Sequence, residues 1–291
     1  MKEPDPPEKR AVRRAFERAA ASYDGAAVLH REIGARLLQH LDPMRVAPGV
    51  ALDLGCGTGA LLEPLARRFP ESTILGADIA HAMLLQSRRR APWWRRAFAS
   101  QGARLVCADA ERLPLGAGSC HLIVSNLALQ WCRPPAFFAE CARALSTGGL
   151  LLFSTFGPDT LRELRASFAE VDRAAHVNSF IDMHDLGDAL VHAGFADPVM
   201  EMEMMTVEYE SVEAVARDLQ SLGAVNASPS RSRGLLGRNG WKRMAERYEK
   251  YRRDGALPAT YEVVYGHAWK TQRRVAADGR QVVEFRSRGT P

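Results

Sequence analysis

The chain has 291 residues, 46% hydrophobic and 25% charged, with a formal net charge of +5. No apolar run approaches ~18 residues, which excludes a membrane-spanning helix. The polar, proline-bearing first fourteen residues lack the apolar core of a secretory signal, and their Glu and Asp do not suit an organelle transit peptide. The five cysteines (Cys56, Cys107, Cys120, Cys132 and Cys141) are odd in number, form no C-x-x-C pair and have no His cluster nearby. Neither a structural zinc nor a disulfide framework is expected, and a reducing cytoplasm fits.

Residues 10–41 read as helical, with Phe16, Tyr23, Leu29, Ile33 and Leu37 at helix-compatible spacings. Pro43 and Pro48-Gly49 end that segment. Strands and helices then alternate. Strands are expected at 50–54, 73–77, 104–108, 122–125 and 150–155, with helices at 60–69, up to about 90, and at 135–145. Ser146-Thr147-Gly148-Gly149 is expected to break the chain before the fifth strand. Further on, helices are expected at 159–175, 182–193, 212–222 and 241–252, and strands at 198–209 and 260–269. This alternation predicts an α/β fold, doubly wound, with a mostly parallel seven-stranded sheet. The predicted organisation is an N-terminal helical segment at 1–42 and a main domain at 43–275. A helical cap at about 211–257 precedes the last strand, and a polar tail follows at 276–291.

The strongest local signal is Asp53-Leu54-Gly55-Cys56-Gly57-Thr58-Gly59, where an apolar strand runs into three glycines at alternate positions. Glycines there let the backbone turn sharply and let a ligand approach the main chain. A dinucleotide fingerprint, G-x-G-x-x-G, would need a glycine where Leu62 stands, and the G-K-[ST] of a P-loop is absent. Two more acidic residues, Asp78 and Asp109, end the next two strands. Ligands of open α/β sheets sit at those ends.

The D-x-G-x-G-x-G pattern resembles motif I of the class I S-adenosylmethionine (SAM)-dependent methyltransferases. The resemblance implies a Rossmann-like sheet and a SAM cofactor. It implies that Asp53, Gly55, Gly57 and Gly59 cradle the methionine part, that Asp78 accepts the ribose hydroxyls, and that Asp109 with Ala110 holds the adenine. The segment Ser125-Asn126-Leu127-Ala128-Leu129-Gln130-Trp131 lacks the N-P-P-Y/F of adenine and glutamine N-methyltransferases. It resembles instead the S-N-L-A-x-Q-W of the malonyl-acyl carrier protein O-methyltransferase family of biotin synthesis. The F-x-x-A-A-x-x-Y from Phe16 to Tyr23, the H-x-N-x-F from His176 to Phe180, Ser221-Leu222-Gly223-Ala224 and Pro258-Ala259-Thr260-Tyr261 agree with it. The resemblance covers about residues 10–270.

It implies methyl transfer from SAM to the free carboxylate of a malonyl thioester on an acidic acyl carrier protein. Such a carboxylate, with a pKa near ~4, is already ionised at pH 7. No catalytic general base or metal is then expected, only positioning and exclusion of water. Arginines suit carboxylates, which makes Arg162, Arg165, Arg231 and Arg233 candidates for the substrate, with Tyr23, Gln130, Trp131 and His176 as further pocket candidates. Gly157-Pro158-Asp159-Thr160-Leu161-Arg162-Glu163-Leu164-Arg165 also resembles a mitochondrial complex I assembly factor of the same fold that hydroxylates a protein arginine. Nine basic side chains between 231 and 253, and the Arg88–Arg96 run around Trp93 and Trp94, would suit either an acidic carrier or RNA. No RNA-binding module is recognisable, so the carrier is the expected partner.

Overall fold

A computed structural model describes residues 8–90, 103–172, 174–223 and 237–271. The chain enters through three short helices, α1 (Lys9–Ala19), α2 (Tyr23–Ala26) and α3 (Val28–Gln39). Next come β1 (Val50–Leu54), α4 (Leu62–Arg68), β2 (Thr73–Asp78), α5 (His81–Arg90), β3 (Arg104–Cys107) and β4 (Cys120–Asn126). A 3-10 turn at Leu129–Trp131 leads to α6 (Pro134–Ala144), β5 (Leu145–Phe156), α7 (Arg162–Ala169), α8 (Met183–His192) and β6 (Phe195–Tyr209). The remainder is α9 (Val212–Ser221), α10 (Arg238–Tyr248) and β7 (Leu257–Lys270).

The seven strands form one sheet in the order β3-β2-β1-β4-β5-β7-β6. The first five are mutually parallel, and β7 runs antiparallel to both β5 and β6. The order reverses direction at β1, so the ends of β1, β2 and β4 open onto one crevice, where ligands of such sheets bind.

Alternation along each strand sends neighbouring side chains to opposite faces. Ala51, Leu122, Leu150, Leu152 and Val263 join Ile33 and Leu37 of α3, Leu65 of α4, and Met244 and Tyr248 of α10 in one core layer. Leu52, Leu54, Ile123, Leu151 and Phe153 join Phe137 and Phe138 of α6 and Leu186 and Leu190 of α8 in the other. Burying each Phe fully contributes about 1.5–3 kcal/mol.

Several expected boundaries are corrected. The single helix at 10–41 is three, because the chain turns at 20–22 and again at Ala27. The turn is fixed from outside: Asp24 Oδ1 accepts from the Thr58 hydroxyl at 2.6 Å, and the Arg31 guanidinium donates to the Asp24 carbonyl at 2.5 Å. The expected helix at 159–175 is only Arg162–Ala169, since Leu161 stands in a left-handed conformation with φ +55° and its N–H goes to the Thr260 carbonyl. Ser146-Thr147-Gly148-Gly149 does not precede β5 but lies inside it as an irregularity, with Cys120 opposite Leu145 and Leu122 opposite Leu150. Gly148, at φ +80°, absorbs the extra residues. Both late strands are longer than expected because β6 and β7 pair over almost their whole length.

Candidate active site

Three glycines of the loop after β1 have positive φ: Gly55 +78°, Gly57 +52° and Gly59 +82°. A Cβ on Gly55 would lie 2.3 Å from the Ala128 Cβ, so this glycine lets the loop pack against the segment after β4. A Cβ on Gly57 would meet nothing within 4 Å. That open space belongs to two adjoining cavities, and Tyr23, Gly55, Gly57 and Asn126 line both.

The first cavity, about 630 Å³, runs along the ends of β2 and β3. Its wall includes Asp78, Ile79, Asp109, Ala110, Phe16 and Trp131. Asp78 Oδ2 accepts from the Gly57 N–H at 2.9 Å and Oδ1 from the Ala80 N–H at 2.8 Å. Each oxygen has a second lone pair, so the carboxylate can still receive two donors from a ligand. Burial pushes Asp78 up to about 6, against the pull of those N–H groups. Asp109 Oδ1 accepts from the Lys9 ammonium at 2.8 Å and from the Glu111 N–H at 3.0 Å.

The second cavity, about 420 Å³, lies between the glycine loop and the start of α3. Asp53, Thr58, His30 and Arg31 line it. Asp53 is 1% exposed, and its Oδ2 has no hydrogen-bond partner. Burial, reinforced by the Asp78 carboxylate, pushes its pKa up to about 8. A buried, unpaired carboxylate oxygen is the complement of a cationic donor such as an α-ammonium. Together with the open space at Gly57 and the spare lone pairs of Asp78, this gives acceptors for the ammonium and the ribose hydroxyls of SAM, so the residues present fit that cofactor.

The N-terminal helices form the outer wall. Lys9, Val12, Phe16 and Tyr23 line the first cavity. Lys9 also pairs with Glu111 at 2.9 Å, and Glu111 in turn binds Arg133. Glu17 caps α5 from another element, accepting the N–H groups of His81 at 2.8 Å and Ala82 at 3.0 Å. Sequence reasoning did not single out Lys9, Glu17, His30 or Arg31. Their roles arise only when α1–α3 fold over the crevice.

Asn126 ends β4 and opens the segment that carries Gln130 and Trp131. Its Nδ2 donates to the His30 carbonyl at 2.9 Å, and its Oδ1 accepts from the Ser154 hydroxyl at 2.7 Å. The next residue, Leu127, is left-handed at φ +52° and lines the first cavity. A bulky residue held there is strained, and such strain gathers at functional sites.

Among the expected substrate residues, the structure brings Tyr23 and Trp131 to the cavities. Phe16 meets Trp131 edge to face at 5.4 Å. Gln130 Oε1 accepts from the Thr155 hydroxyl at 3.3 Å. Arg165 donates to the carbonyls of Pro158 at 2.6 Å and Thr160 at 3.0 Å, while Arg162 Nε approaches Glu163 at 3.4 Å. His176 stacks on Phe168 at 3.9 Å and bonds Asp172 at 2.8 Å. Arg231 and Arg233 lie outside the described residues, as do Trp93 and Trp94. Among the described residues no cluster of His, Cys, Asp or Glu could hold a metal ion, and no helix is long and apolar enough to cross a membrane.

A methyltransferase-domain family model matches residues 52–153. The chain is 51% identical to the malonyl-(acyl-carrier protein) O-methyltransferase of Gallionella capsiferriformans, over 95% of this chain and 96% of that one. Identity to the protein of the same name from Laribacter hongkongensis is also 51%, over 96% of each chain. Among solved structures, one from Bacillus halodurans C-125 superposes with a TM-score of 0.58 at 19% identity, covering 82% of this chain and 99% of that one. A SAM-dependent methyltransferase from Thermotoga maritima superposes with a TM-score of 0.52 at 17% identity, covering 89% and 100%. At those identities the superpositions establish the fold.

Proposed function

This chain belongs to the malonyl-(acyl-carrier protein) O-methyltransferase family, and we propose that it transfers the methyl group of SAM to the free carboxylate of a malonyl thioester on an acyl carrier protein. The observation that carries the reading is the pair of cavities joined at Tyr23, Gly55, Gly57 and Asn126. One end suits a nucleoside and the other an amino acid, which leaves the reacting centre at the junction.

When bound, SAM supplies an electrophilic methyl group on a sulfonium. Asp53 takes the ammonium of its methionine part, with Gly55, Gly57 and Gly59 forming the cradle. Asp78 takes the ribose hydroxyls, and Asp109 with Ala110 the adenine edge. Tyr23 and Trp131 close the acceptor side, and residues 1–42 act as the cover of the cofactor site. A carboxylate with a pKa near ~4 needs no base at pH 7. The chain's work is to bind, orient and exclude water.

The carrier docks through charge. Arg238, Lys242, Arg243 and Arg247 all lie on α10, and this basic run suits an acidic partner. That helix stands within the expected cap at 211–257 and packs on α7. Arg162, Arg165, Gln130 and His176 line neither cavity, and their part is confined to the surface over which the carrier approaches. The sequence resemblance puts the reaction in biotin synthesis, and the cysteine usage suits a reducing cytoplasm.

The test is incubation with methyl-labelled SAM and malonyl-acyl carrier protein, with free malonate and bulk tRNA as comparators. Label on the carrier that mild base removes is the expected result and identifies a carboxyl methyl ester. Measurable SAM binding with no label on the carrier overturns the reading.

A further inference from the structure

Lys9 shares a face of α1 with Val12 and Phe16, at helical spacing, and all three line the first cavity. It is also the first residue of that helix. A helix N-terminus carries partial positive charge and favours acidic side chains, so a cation at this position does not stabilise α1. Its partners lie on other elements. The ammonium donates to Asp109 Oδ1 at 2.8 Å, pairs with Glu111 Oε1 at 2.9 Å and lies 3.4 Å from Cys132 Sγ. A lysine has three donors, and these three acceptors take them all. Lys9 therefore keeps no N–H for a ligand, although it stands in the cavity wall.

What it does is fix two carboxylates. Glu111 is held from its other side by Arg133: Oε1 accepts the Arg133 backbone N–H at 2.8 Å, and Oε2 accepts Nε–H at 3.0 Å and Nη2–H at 2.7 Å. Asp109 is held by one oxygen only. Its Oδ1 accepts from Lys9 and, at 3.0 Å, from the Glu111 N–H, which fills both lone pairs of that oxygen. Among the described residues Oδ2 has no hydrogen-bond partner. Asp78 and Asp109 are the two carboxylates that line this cavity. The Gly57 and Ala80 main-chain N–H groups hold Asp78, whereas the orientation of Asp109 depends on a cation carried by the cover.

We propose that Lys9 is a positioning residue for the base of the cofactor: it holds Oδ1 of Asp109 so that Oδ2 meets the 6-amino group of adenine, and the site thereby prefers a 6-amino purine to a 6-oxo purine. The inference rests on the reading of the first cavity as the nucleoside end of a SAM site. The preference follows from the carboxylate, which when ionised only accepts. A 6-amino group donates to it, and a 6-oxo group sets lone pairs against lone pairs. Without the ammonium, Asp109 keeps one bond, to the Glu111 N–H. The Glu111 carboxylate, which touches the same ammonium and so stands close by, then repels it. Selection weakens although Asp109 itself remains.

The experiment uses Lys9→Met, which keeps an unbranched aliphatic stem and removes the charge. Wild type and variant are titrated by calorimetry with S-adenosylhomocysteine and with its 6-oxo counterpart, S-inosylhomocysteine. Wild type is expected to bind the 6-amino compound about 30-fold more tightly or better, the worth of one hydrogen bond to a charged group. In Lys9→Met the affinity for S-adenosylhomocysteine is expected to fall about tenfold and that for the 6-oxo compound less than about threefold, so the preference narrows. Equal losses for the two compounds would mean that Lys9 only props α1 against the domain, and would overturn the proposal. An unchanged preference in the variant overturns it as well. Wild-type protein that binds both compounds equally overturns it without any variant. The readout is binding alone, so it stands apart from the methyl-transfer assay. A selective loss in Lys9→Met supports the role of Lys9 even where no methyl reaches the carrier, which defeats the functional reading. Wild-type protein that binds neither compound defeats both.

Discussion

Asp53, at the tip of β1, and Glu163, in α7 beside β7, are both buried carboxylates, at 1% and 5% exposure. Asp53 keeps one oxygen without a partner. Glu163 has a protein partner for each: Oε2 accepts the Thr260 N–H at 3.1 Å, and Oε1 accepts the Thr260 hydroxyl and the Arg162 Nε–H at 3.4 Å. The arginines of the second region follow the same habit. Arg165 is taken up by two carbonyls, and Arg252 by Glu249 and the Gly255 and Glu210 carbonyls. Polar groups around β1, β2 and β4 are left with capacity for a ligand, whereas those around α7 and β7 hold chain to chain. Burial alone therefore does not mark a functional carboxylate; the state of its lone pairs does.

The widest separation between the two regions comes from one substitution in each. Glu163→Ala strands the Thr260 N–H and hydroxyl in the core, at about 1–3 kcal/mol for each unsatisfied group. A loss of about 3 kcal/mol is expected, or roughly 6–12 °C in Tm for a chain of this size. The Kd for SAM, measured on the folded fraction at low temperature, is expected to stay within about twofold of wild type, because Glu163 faces Thr260 and not the cofactor cavities. Gly57→Ala reverses the pattern. Its Cβ meets no protein atom within 4 Å but carries a left-handed backbone, which costs about 1–2 kcal/mol. The methyl group projects into ligand space, so SAM affinity is expected to fall more than about 30-fold, or roughly 2 kcal/mol. Calorimetry and thermal melts on the two variants check the pair, and a stable, fully binding Gly57→Ala would break the comparison.

That contrast also marks what could be read from the sequence. The succession of strands along the chain and the acidic strand ends were legible, because parallel α/β sheets place ligands at the carboxyl ends of strands and Asp53, Asp78 and Asp109 stand there. Specific roles for those residues came from the family motif. The cover was not legible. Phe16, Tyr23, Leu29, Ile33 and Leu37 keep helical spacing across a chain that breaks twice, and only Ser22 and Gly25, both poor helix formers, hint at the turn. Lys9 and His30 carry no motif. Their partners, Asp109 and Asn126, are 100 and 96 residues away, and single-sequence periodicity contains nothing about such distant pairs. The pairing of Glu163 with Thr260, 97 residues apart, was hidden for the same reason.

The unpaired state of Asp53 has a consequence in pH. Its pKa is raised from the carboxylate value of 3.8 to about 8 in the folded, ligand-free chain. The folded state thus binds a proton that the unfolded state has lost, so this group's effect on stability worsens as pH rises from about 4 to about 8. Asp78, raised to about 6, acts mainly below that pH. Between pH 6.5 and 8, acidification is therefore expected to stabilise the ligand-free wild-type protein relative to Asp53→Asn, by at most about 2 kcal/mol at 1.36 kcal/mol per unit. SAM affinity should move the other way and tighten with rising pH by up to about tenfold per unit, since the ammonium needs the ionised carboxylate. Denaturant melts and calorimetry at several pH values check both slopes. Parallel lines for wild type and Asp53→Asn would show that Asp53 is paired in solution and would remove its distinction from Glu163.

The smallest expected effect belongs to Arg162, and it sets the edge of the functional region. Its side chain is 56% exposed, and its one described partner, Glu163 at 3.4 Å, already accepts two bonds from Thr260. An exposed pair of this kind contributes about 0.2–1 kcal/mol, so Arg162→Ala is expected to lower Tm by no more than a few degrees. Arg162 lines neither cavity, so it adds only long-range attraction for an anionic acyl carrier. Its loss then raises KM by about two- to threefold and the rise fades at high salt, where charges more than about 10 Å apart are screened. Initial rates at low and high salt separate that outcome from direct contact. A salt-insensitive rise of tenfold or more would place the guanidinium on the substrate and extend the ligand-binding region across β5 to α7.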